Sequence, residues 1–475
     1  MTERGEPRTA PAVPGAPGPA AVLITADRAL APAPDDDGAP ASASAPDRAR
    51  GPTAVLAVDG AIVRVGDPDD VAADPRAAGA ARIAWPGRAM VPGTVNTHNH
   101  SFQSLLRGIG DDLPFLAWRE RALYRYSPRL DAEAMATAAL FAFGEMLLHG
   151  VTTVCDFYYL NRQGNDCAAA TIDAARRLGI RIVLARCFYD WSGAPEAYRE
   201  TVPQAVANFE ALARRYHDRD RRLVSIQPAP HSQHGASAAM IEAGAGCARD
   251  AGVPWHIHLA EERYQVDQSL ERFGARPIHA VAALGVDLSQ MIAVHGCWFD
   301  AGERAVLAER GGALAYCPGS NMFLGDGVTD LVDLVARGVP VGLGTDGGCS
   351  NSRVSVFDEM RMAALLQKVH RTDGQAIDAE TCFALGTRTA GAVLRLPVGR
   401  IAPGYRCDLV ALDLGDPSLW PVQALEKNVV YSLSPRAISD VVVDGQEVVA
   451  ARRLRHVALD EIQVRVGELT RDWRG

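Results

Sequence analysis

The chain has 475 residues and a formal net charge of −9, with 48 lysines and arginines against 57 aspartates and glutamates. A chain of this length can bury a large core, and its acidic balance argues against a nucleic-acid binder. It has no apolar run of 18 residues and no amino-terminal secretory pattern, so we expect neither a membrane span nor a signal peptide.

The nine cysteines are odd in number, scattered, and mostly set in apolar runs. This usage favours free thiols in a reducing cytoplasm over a disulfide framework. No C-x-x-C pair occurs, so a thiolate zinc site is not expected. We therefore expect a cytoplasmic protein.

The amino-terminal part alternates between low-complexity and strand-like segments. Residues 1–19 are rich in proline, alanine and glycine and are predicted to be a disordered tail. A strand is expected at 20–27, and the low-complexity segment 31–50 is expected to be a flexible loop. The segment 53–67 has the pattern of a hairpin with Asp-Gly at its turn.

Short strands return near the carboxyl end, at 408–414 and 438–453, again with an Asp-Gly turn. Two sets of strands at opposite ends of the chain predict one small β-sandwich domain. We assign to it residues 20–92 and 396–475.

Between these ends the pattern changes to alternating strands and helices. Eight short β-rich runs occur, at 89–100, 151–160, 181–189, 223–232, 254–261, 291–298, 313–320 and 340–347. Amphipathic, helix-like segments such as 131–150, 166–179 and 330–338 separate them. Eight strand–helix repeats over about 250 residues predict an α/β fold with a (β/α)8 TIM barrel, which we place at 93–395. The alternative, an open doubly wound sheet, lacks support because no G-x-G-x-x-G follows the first strand.

Polar residues cluster where the predicted strands end, which is where barrels place their chemistry. His98 and His100 follow the first run and, at positions i and i+2, share one face. His258, His295 and Asp346 end the fifth, sixth and eighth runs. Any one of these histidines alone is more often an ordinary core residue, but their joint placement indicates a site. Three imidazoles and a carboxylate suit one divalent ion, with zinc the expected metal and iron the alternative.

Four motifs occur in the order H-x-H (98–100), HLAEE (258–262), AVHGCW (293–298) and GTDGGCSN (344–351). In this the chain resembles the amidohydrolase superfamily, in its branch of cytosine-deaminase-like aminohydrolases. The resemblance implies that His98, His100, His258 and Asp346 bind the metal. It further implies that Glu261 shuttles a proton, that His295 polarises the bond under attack, and that Asp346 also takes part in catalysis.

The resemblance also bears on the number of metal ions. Binuclear members bridge two metals with a carboxylated lysine from the fourth strand. The only lysines here are Lys368 and Lys427, and neither is near a predicted strand end. A mononuclear site is therefore expected.

Two subfamilies compete for the substrate. The amino-terminal half, with HNHSFQ (98–103) and APHS (229–232), resembles formimidoylglutamate deiminase. This likeness implies a substrate pocket lined by Gln103, Arg119, Tyr159 and His231, and it places His234 where the family has a carboxylate-binding arginine. Arg119 is our candidate for the residue that binds an anionic group of the substrate. A neutral histidine cannot make the bidentate contact of an arginine. Ser350, in the GTDGGCSN motif, is a further expected substrate contact.

The later part, with CPGSNMFLGDG (317–327), resembles adenosylhomocysteine and 8-oxoguanine deaminases. Members that bind ribose carry a glutamate where this chain has Tyr126-Ser127-Pro128, and its absence argues against a nucleoside substrate. The expected function is thus a deaminase or deiminase that releases ammonia from a small molecule, formimidoylglutamate-deiminase-like. The alternatives are a purine or adenosine-derivative deaminase, a chlorohydrolase or cyclic amidase, and a scaffold without metal. A homo-oligomer, a dimer, is expected, with neither nucleic-acid nor membrane partners.

Overall fold

The structure, a computed structural model, describes residues 20–32, 45–161, 164–218 and 223–473. The predicted tail 1–19 and the middle of the predicted loop 31–50 lie outside the described residues. In chain order the strands are β1 Ala21–Pro32, β2 Asp47–Arg50, β3 Thr53–Val58, β4 Ala61–Gly66, β5 Ala81–Pro92, β6 Thr94–Asn99, β7 Val151–Tyr158, β8 Arg181–Phe188, β9 Val224–Pro230, β10 Trp255–Leu259, β11 Met291–His295, β12 Ala313–Tyr316, β13 Val341–Leu343, β14 Leu409–Asp413, β15 Ile438–Val443, β16 Gln446–Ala450 and β17 Arg453–Leu454.

The helices are equally spread along the chain. They are α1 Pro68–Ala72, α2 Phe115–Trp118, α3 Ala132–Leu148, α4 Asp166–Leu178, α5 Val202–Tyr216, α6 Ala238–Ala251, α7 Arg263–Phe273, α8 Pro277–Ala283, α9 Ala301–Glu309, α10 Pro318–Leu324, α11 Leu331–Ala336, α12 Val356–Arg371, α13 Ala379–Leu385, α14 Arg388–Val393, α15 Leu425–Tyr431 and α16 Leu459–Thr470. A π-helical stretch, Arg119–Tyr124, continues α2.

Strands β6 to β13 are the eight predicted barrel strands, and helices separate each from the next. They pair in parallel as two four-stranded sheets, β6-β7-β8-β9 and β10-β11-β12-β13. At one seam the His258 N–H donates to the His231 carbonyl, and at the other the Asp346 N–H donates to the His98 carbonyl, both at 3.0 Å. The predicted α/β fold with eight parallel strands is confirmed, and all strand ends that carry site residues lie on one side.

Local sequence explains where the barrel helices begin and end. The Asp131 carboxylate accepts the Ala134 N–H at the start of α3, which satisfies a free helix donor. Helix α4 ends at Gly179, whose φ of 80° is left-handed and suits glycine.

The two chain ends build one nine-stranded sheet in the order β17-β16-β15-β14-β5-β1-β3-β4, with β2 paired to β1. Both predicted Asp-Gly turns are present, and all four turn residues have positive φ, as two-residue hairpin loops require. The boundaries assigned to the two domains stay a prediction.

The prediction of a flexible loop over 31–50 is wrong at both of its ends. Strand β1 extends to Pro32, and β2 pairs with it in antiparallel register from Ala29–Arg50 to Pro32–Asp47. Low-complexity composition does not prevent this, because the ladder uses backbone donors and acceptors that every non-proline residue carries.

The nine cysteines are free, eight of them buried, as predicted. Among the residues that the structure describes, none of the helices has the length and apolar character needed to cross a bilayer.

Candidate active site

The four predicted ligands converge at the carboxyl ends of the barrel strands. His98 Nε2 lies 3.2 Å from His258 Nε2 and 3.5 Å from Asp346 Oδ1. His100 Nε2 lies 3.3 Å from the same carboxylate oxygen. All four side chains are buried. One atom of each residue therefore faces a common point.

The outer nitrogens of two of these rings are bonded to the backbone. His100 Nδ1 donates to the Phe157 carbonyl and His258 Nδ1 to the His231 carbonyl, each at 2.7 Å. The Nε2 lone pairs therefore point inward, His100 towards Asp346. A lone pair and a carboxylate oxygen repel at this distance unless a cation lies between them. This donor set fits a divalent metal ion.

The electrostatics agree with ligation by neutral imidazoles. Burial, followed by the proximity of His98, lowers the pKa of His100 to about 4 and that of His258 well below its usual value. Burial by itself would raise the pKa of Asp346, but contact with His98 and the proximity of His100 and His295 hold it well below its usual value. Near neutral pH the site thus presents His100 and His258 as neutral imidazoles and Asp346 as a carboxylate.

Two serines hold Asp346 from behind. The Ser320 hydroxyl donates to Asp346 Oδ2 at 2.6 Å and the Ser350 hydroxyl at 3.1 Å, which leaves Oδ1 for the histidines. Asp346 has a φ of 56°, a left-handed value that a non-glycine residue adopts at a cost. Ser350, expected to contact the substrate, lies behind this carboxylate and does not line the cavity described below.

Glu261 and His295 form the other half of the site. Glu261 Oε1 lies 3.4 Å from His295 Nε2. The Glu261 backbone N–H donates to Gln265 Oε1 at 3.1 Å, and the Gln265 amide returns a bond of 3.4 Å to Oε2. Burial, and then the charge of Asp346, raise the pKa of Glu261 well above its usual value. A raised pKa favours the protonated form of Glu261, the form that a proton donor needs.

A cavity opens beside these atoms, at the carboxyl ends of the barrel strands, where small-molecule sites of this fold lie. Of the expected substrate contacts it brings together Gln103, Arg119, Tyr159, His231 and His234. Sequence reasoning missed its apolar and aromatic wall, which consists of Phe115, Trp118, Leu123, Tyr124, Tyr189 and Tyr198. Most of these residues come from short helical segments between the barrel strands that follow no clear periodic pattern, so only the proximity of Tyr189 to the end of β8 pointed to the site.

Arg119 lies at the edge of this cavity, with its side chain only 20% exposed. Its guanidinium carbon is 4.8 Å from the centre of the Tyr124 ring and 5.8 Å from that of Trp191, and it donates to Glu120 at 2.8 Å. Among the described residues that line the cavity, Arg119 carries the one permanent positive charge. It is not an ordinary surface arginine.

The two further histidines of the cavity are neutral. Burial, followed by repulsion from Arg119, lowers the pKa of His234 to about 4. Burial and then His234 lower the pKa of His231 well below its usual value. His231 packs against Tyr189, with ring centroids 4.4 Å apart.

The position of a bridging lysine on the fourth barrel strand is not filled. Gln227 on β9 accepts a 2.6 Å bond from His256, which is buried in the core. Lys368 lies on α12, where it donates to the Tyr431 hydroxyl, and Lys427 is exposed on α15. Neither lysine lines the cavity.

Comparison with known proteins agrees with this geometry. Residues 89–448 match the Amidohydrolase family. The chain is 32% identical over 360 residues to a 5-methylthioadenosine/S-adenosylhomocysteine deaminase of Thermococcus kodakarensis, covering 76% of this chain and 82% of that protein. It is 30% identical over 422 residues to the protein of that name from Syntrophobacter fumaroxidans, covering 88% of this chain and 93% of that protein.

Solved structures extend the likeness to nearly the whole fold. A zinc-bound adenosine deaminase from Xanthomonas campestris superposes with a TM-score of 0.85 at 26% identity, covering 95% of this chain and 98% of that one. Atrazine chlorohydrolase from Arthrobacter aurescens shares the fold, with a TM-score of 0.84 at 23% identity. The superposition covers 94% of this chain and 99% of that one. The chain therefore belongs to the amidohydrolase family and is an enzyme, a hydrolase acting on non-peptide C–N bonds.

Proposed function

We propose that this enzyme is a deaminase that releases ammonia from an amino-substituted ring carbon of a purine, with adenosine derivatives as the first substrate class to test. The observation that carries the proposal is the approach of Glu261 Oε1 to His295 Nε2 at 3.4 Å, where both side chains line a cavity with several aromatic residues. A proton donor and an N–H donor next to the predicted metal ligands are what the departure of an amine requires.

His98, His100, His258 and Asp346 would hold one divalent ion, which when bound lowers the pKa of a water molecule from 15.7 towards ~7. Asp346 accepts a proton from the attacking water. Glu261 delivers a proton to the departing nitrogen, and the His295 N–H stabilises the charge that develops during attack. Each acid–base contribution is of the order of 10²–10⁴-fold in rate.

The cavity wall supports a flat aromatic substrate. Trp118, Tyr124 and Tyr189 belong to the aromatic lining, and such rings favour stacked or edge-on contact with a heterocycle. The relatives named as deaminases of adenosine derivatives support the same class.

A second candidate, deimination of a formimino or guanidino acid, is favoured by one observation. Arg119 is the cationic side chain of the cavity, and its bond to the exposed Glu120 leaves it able to exchange partners for a substrate carboxylate. His234 cannot share that role while it is neutral.

We further propose that the resident metal is a single zinc ion, with iron as the alternative. The histidine-rich donor set and the lack of a lysine in the cavity lining support this. Metal analysis of active protein tests it, and two equivalents per chain would contradict it. The homodimer and the cytoplasmic location stay predictions.

The deciding experiment is an ammonia-release screen of the zinc-loaded protein. The panel contains adenosine, methylthioadenosine, adenosylhomocysteine, guanine, formimino-amino acids and guanidino acids. Saturable ammonia release from a purine, absent in Glu261→Gln, is the expected result. Turnover of a triazine chloride or cyclic amide without ammonia would instead support hydrolysis of another bond, and protein that takes up no metal would support a scaffold.

A further inference from the structure

His295 is fixed at its backbone as well as at its ring. The Thr329 hydroxyl donates to the His295 carbonyl at 2.8 Å, and the His295 φ of 70° bends the chain at the end of β11. Asn321 on α10, a buried residue, places its amide nitrogen 3.1 Å from His295 Nδ1.

An amide nitrogen only donates hydrogen bonds. In this contact Nδ1 of His295 is therefore the acceptor, and in the neutral ring the proton must be on Nε2. Nε2 is the atom that lies 3.4 Å from Glu261 Oε1.

The amide nitrogen of Asn321 that faces the histidine also contacts Asp326, a buried residue whose pKa is raised to about 10 by burial and then by Glu261. The hydrogen bond to Asp326 Oδ2 is 3.1 Å long, and the Asp326 backbone N–H donates to the backbone carbonyl of Asn321 at 3.0 Å, which keeps the two residues adjacent. The Trp298 indole donates to the Asp326 carbonyl at 2.7 Å, which ties this segment to the loop after β11. The amide is held from the side opposite the cavity.

We propose that Asn321, anchored on Asp326, is a positioning residue that keeps His295 in the neutral tautomer with its proton on Nε2. The catalytic consequence rests on the proposed function, in which His295 donates a hydrogen bond to the group under attack. The tautomer of His295 does not depend on the proposed function, so it can be tested without a substrate.

The direct test is nitrogen NMR of the zinc-loaded full chain labelled with ¹⁵N-histidine. His295 is identified by the signals lost in His295→Gln. We expect an unprotonated Nδ1 and a protonated Nε2 in the wild-type protein near neutral pH. In Asn321→Asp the new carboxylate should draw a proton onto Nδ1. A protonated Nδ1 in the wild type, or an unprotonated one in Asn321→Asp, would overturn the proposal.

The ring is surrounded by other groups that titrate or carry charge: Glu261 and Asp346 at the cavity, and His98 and His258 with ring centroids within 5.8 Å. For this reason the spectra are compared at one pH and one zinc occupancy.

A double-mutant cycle tests the catalytic consequence with the best substrate of the screen. We expect Asn321→Ala to lower kcat by about 10- to 100-fold, with zinc content unchanged. Because Asn321 acts through His295, adding Asn321→Ala to His295→Gln should cost nothing further in kcat. Losses that multiply in the double variant would contradict the proposal.

Two controls separate positioning from general destabilisation. Asp326→Asn keeps an acceptor for the Asn321 amide and should retain most of kcat, whereas Asp326→Ala should resemble Asn321→Ala. Asn428, outside the site, also donates two amide bonds, to the carbonyls of Leu419 and Pro421 at 2.9 Å. Asn428→Ala should lower the melting temperature while leaving kcat unchanged. If Asn321→Ala does not fold, the wild-type NMR result still decides.

Discussion

The two sides of the active site are held in different ways. On the metal-facing side, three predicted ligands have their second polar atom bonded to the fold itself: His100 to the Phe157 carbonyl, His258 to the His231 carbonyl, and Asp346 to Ser320. On the opposite side Arg119 is held by ring stacking and by the mostly exposed Glu120. The comparison teaches that buried contacts with the barrel fix the side chains of the chemistry, while contacts among neighbouring side chains hold Arg119, so the two can change independently.

Removal of the metal should have the largest effect and tests the rigid side as a whole. A strong chelator should abolish turnover, and added Zn²⁺ should restore it, because the water nucleophile depends on the ion. The free energy of unfolding should fall as well. The loss is about 4 kcal/mol relative to protein kept at a free metal concentration of 1,000 times Kd. Turnover that survives verified metal removal would refute the site. His370→Gln, at an exposed helix position, serves as the control that binds metal normally.

The substitution Glu261→Gln should have the second largest effect. We expect it to lower kcat by about 10²–10⁴-fold and to leave the zinc content unchanged. The amide has the shape of the carboxyl group but cannot transfer its proton. Steady-state kinetics with metal analysis measure this, and Glu271→Gln on the exposed face of α7 is the comparison variant. Undiminished turnover would remove Glu261 from the mechanism.

The substitution Ser320→Ala should weaken the metal-facing side alone, because it removes one hydrogen bond that holds Asp346. Loss of the 2.6 Å bond to Asp346 Oδ2 should cost about 10- to 100-fold in zinc affinity or activity. Ser350→Ala, which removes the longer 3.1 Å bond, should cost less. Competitive zinc titration distinguishes the two, and the reverse order would contradict the view that Ser320 is the main support.

Arg119→Ala should affect recognition alone. For a substrate with an anionic group, KM should rise by about 10- to 100-fold, from the loss of a charged hydrogen bond, with kcat unchanged. Neutral substrates should hardly respond. A kcat defect on neutral substrates would break the proposed separation between the two sides of the site.

The smallest expected effect concerns pH and stability. The pKa of His234 is lowered to about 4 by burial and Arg119, whereas an exposed histidine has a pKa near 6.5. Between these values the unfolded chain binds the proton and the folded chain does not, so stability falls as pH drops from about 6.5 to 4. His234→Gln should flatten that slope, since each unit of pKa difference is worth about 1.4 kcal/mol. Melting temperatures across the range measure it, and an unchanged slope would contradict the assignment.

The barrel could be predicted because its strands are short and buried and are separated by capped helices. The His98–His100 pair could be placed because residues i and i+2 of a strand share a face. What lay beyond prediction depends on loops. The strand pair between β1 and β2 is built from backbone atoms under a low-complexity sequence, and Tyr124 and Tyr198 reach the cavity from segments with no period.

Ser350 and Asn321 show a second limit. Both lie in motifs that the sequence displays openly, yet a motif does not reveal whether a side chain faces the substrate or supports its neighbour. Ser350 supports Asp346 from behind, and Asn321 contacts the outer nitrogen of His295. Only the interatomic distances of the structure distinguish a residue that contacts the substrate from one that supports a neighbouring side chain.

Lys368 and Lys427 are the only side-chain amines in the chain, and both lie away from the cavity, on α12 and α15. Coupling of a bead or a fluorophore through these two side chains would thus leave the residues that line the substrate cavity unmodified, and enzyme immobilised through them should keep its turnover.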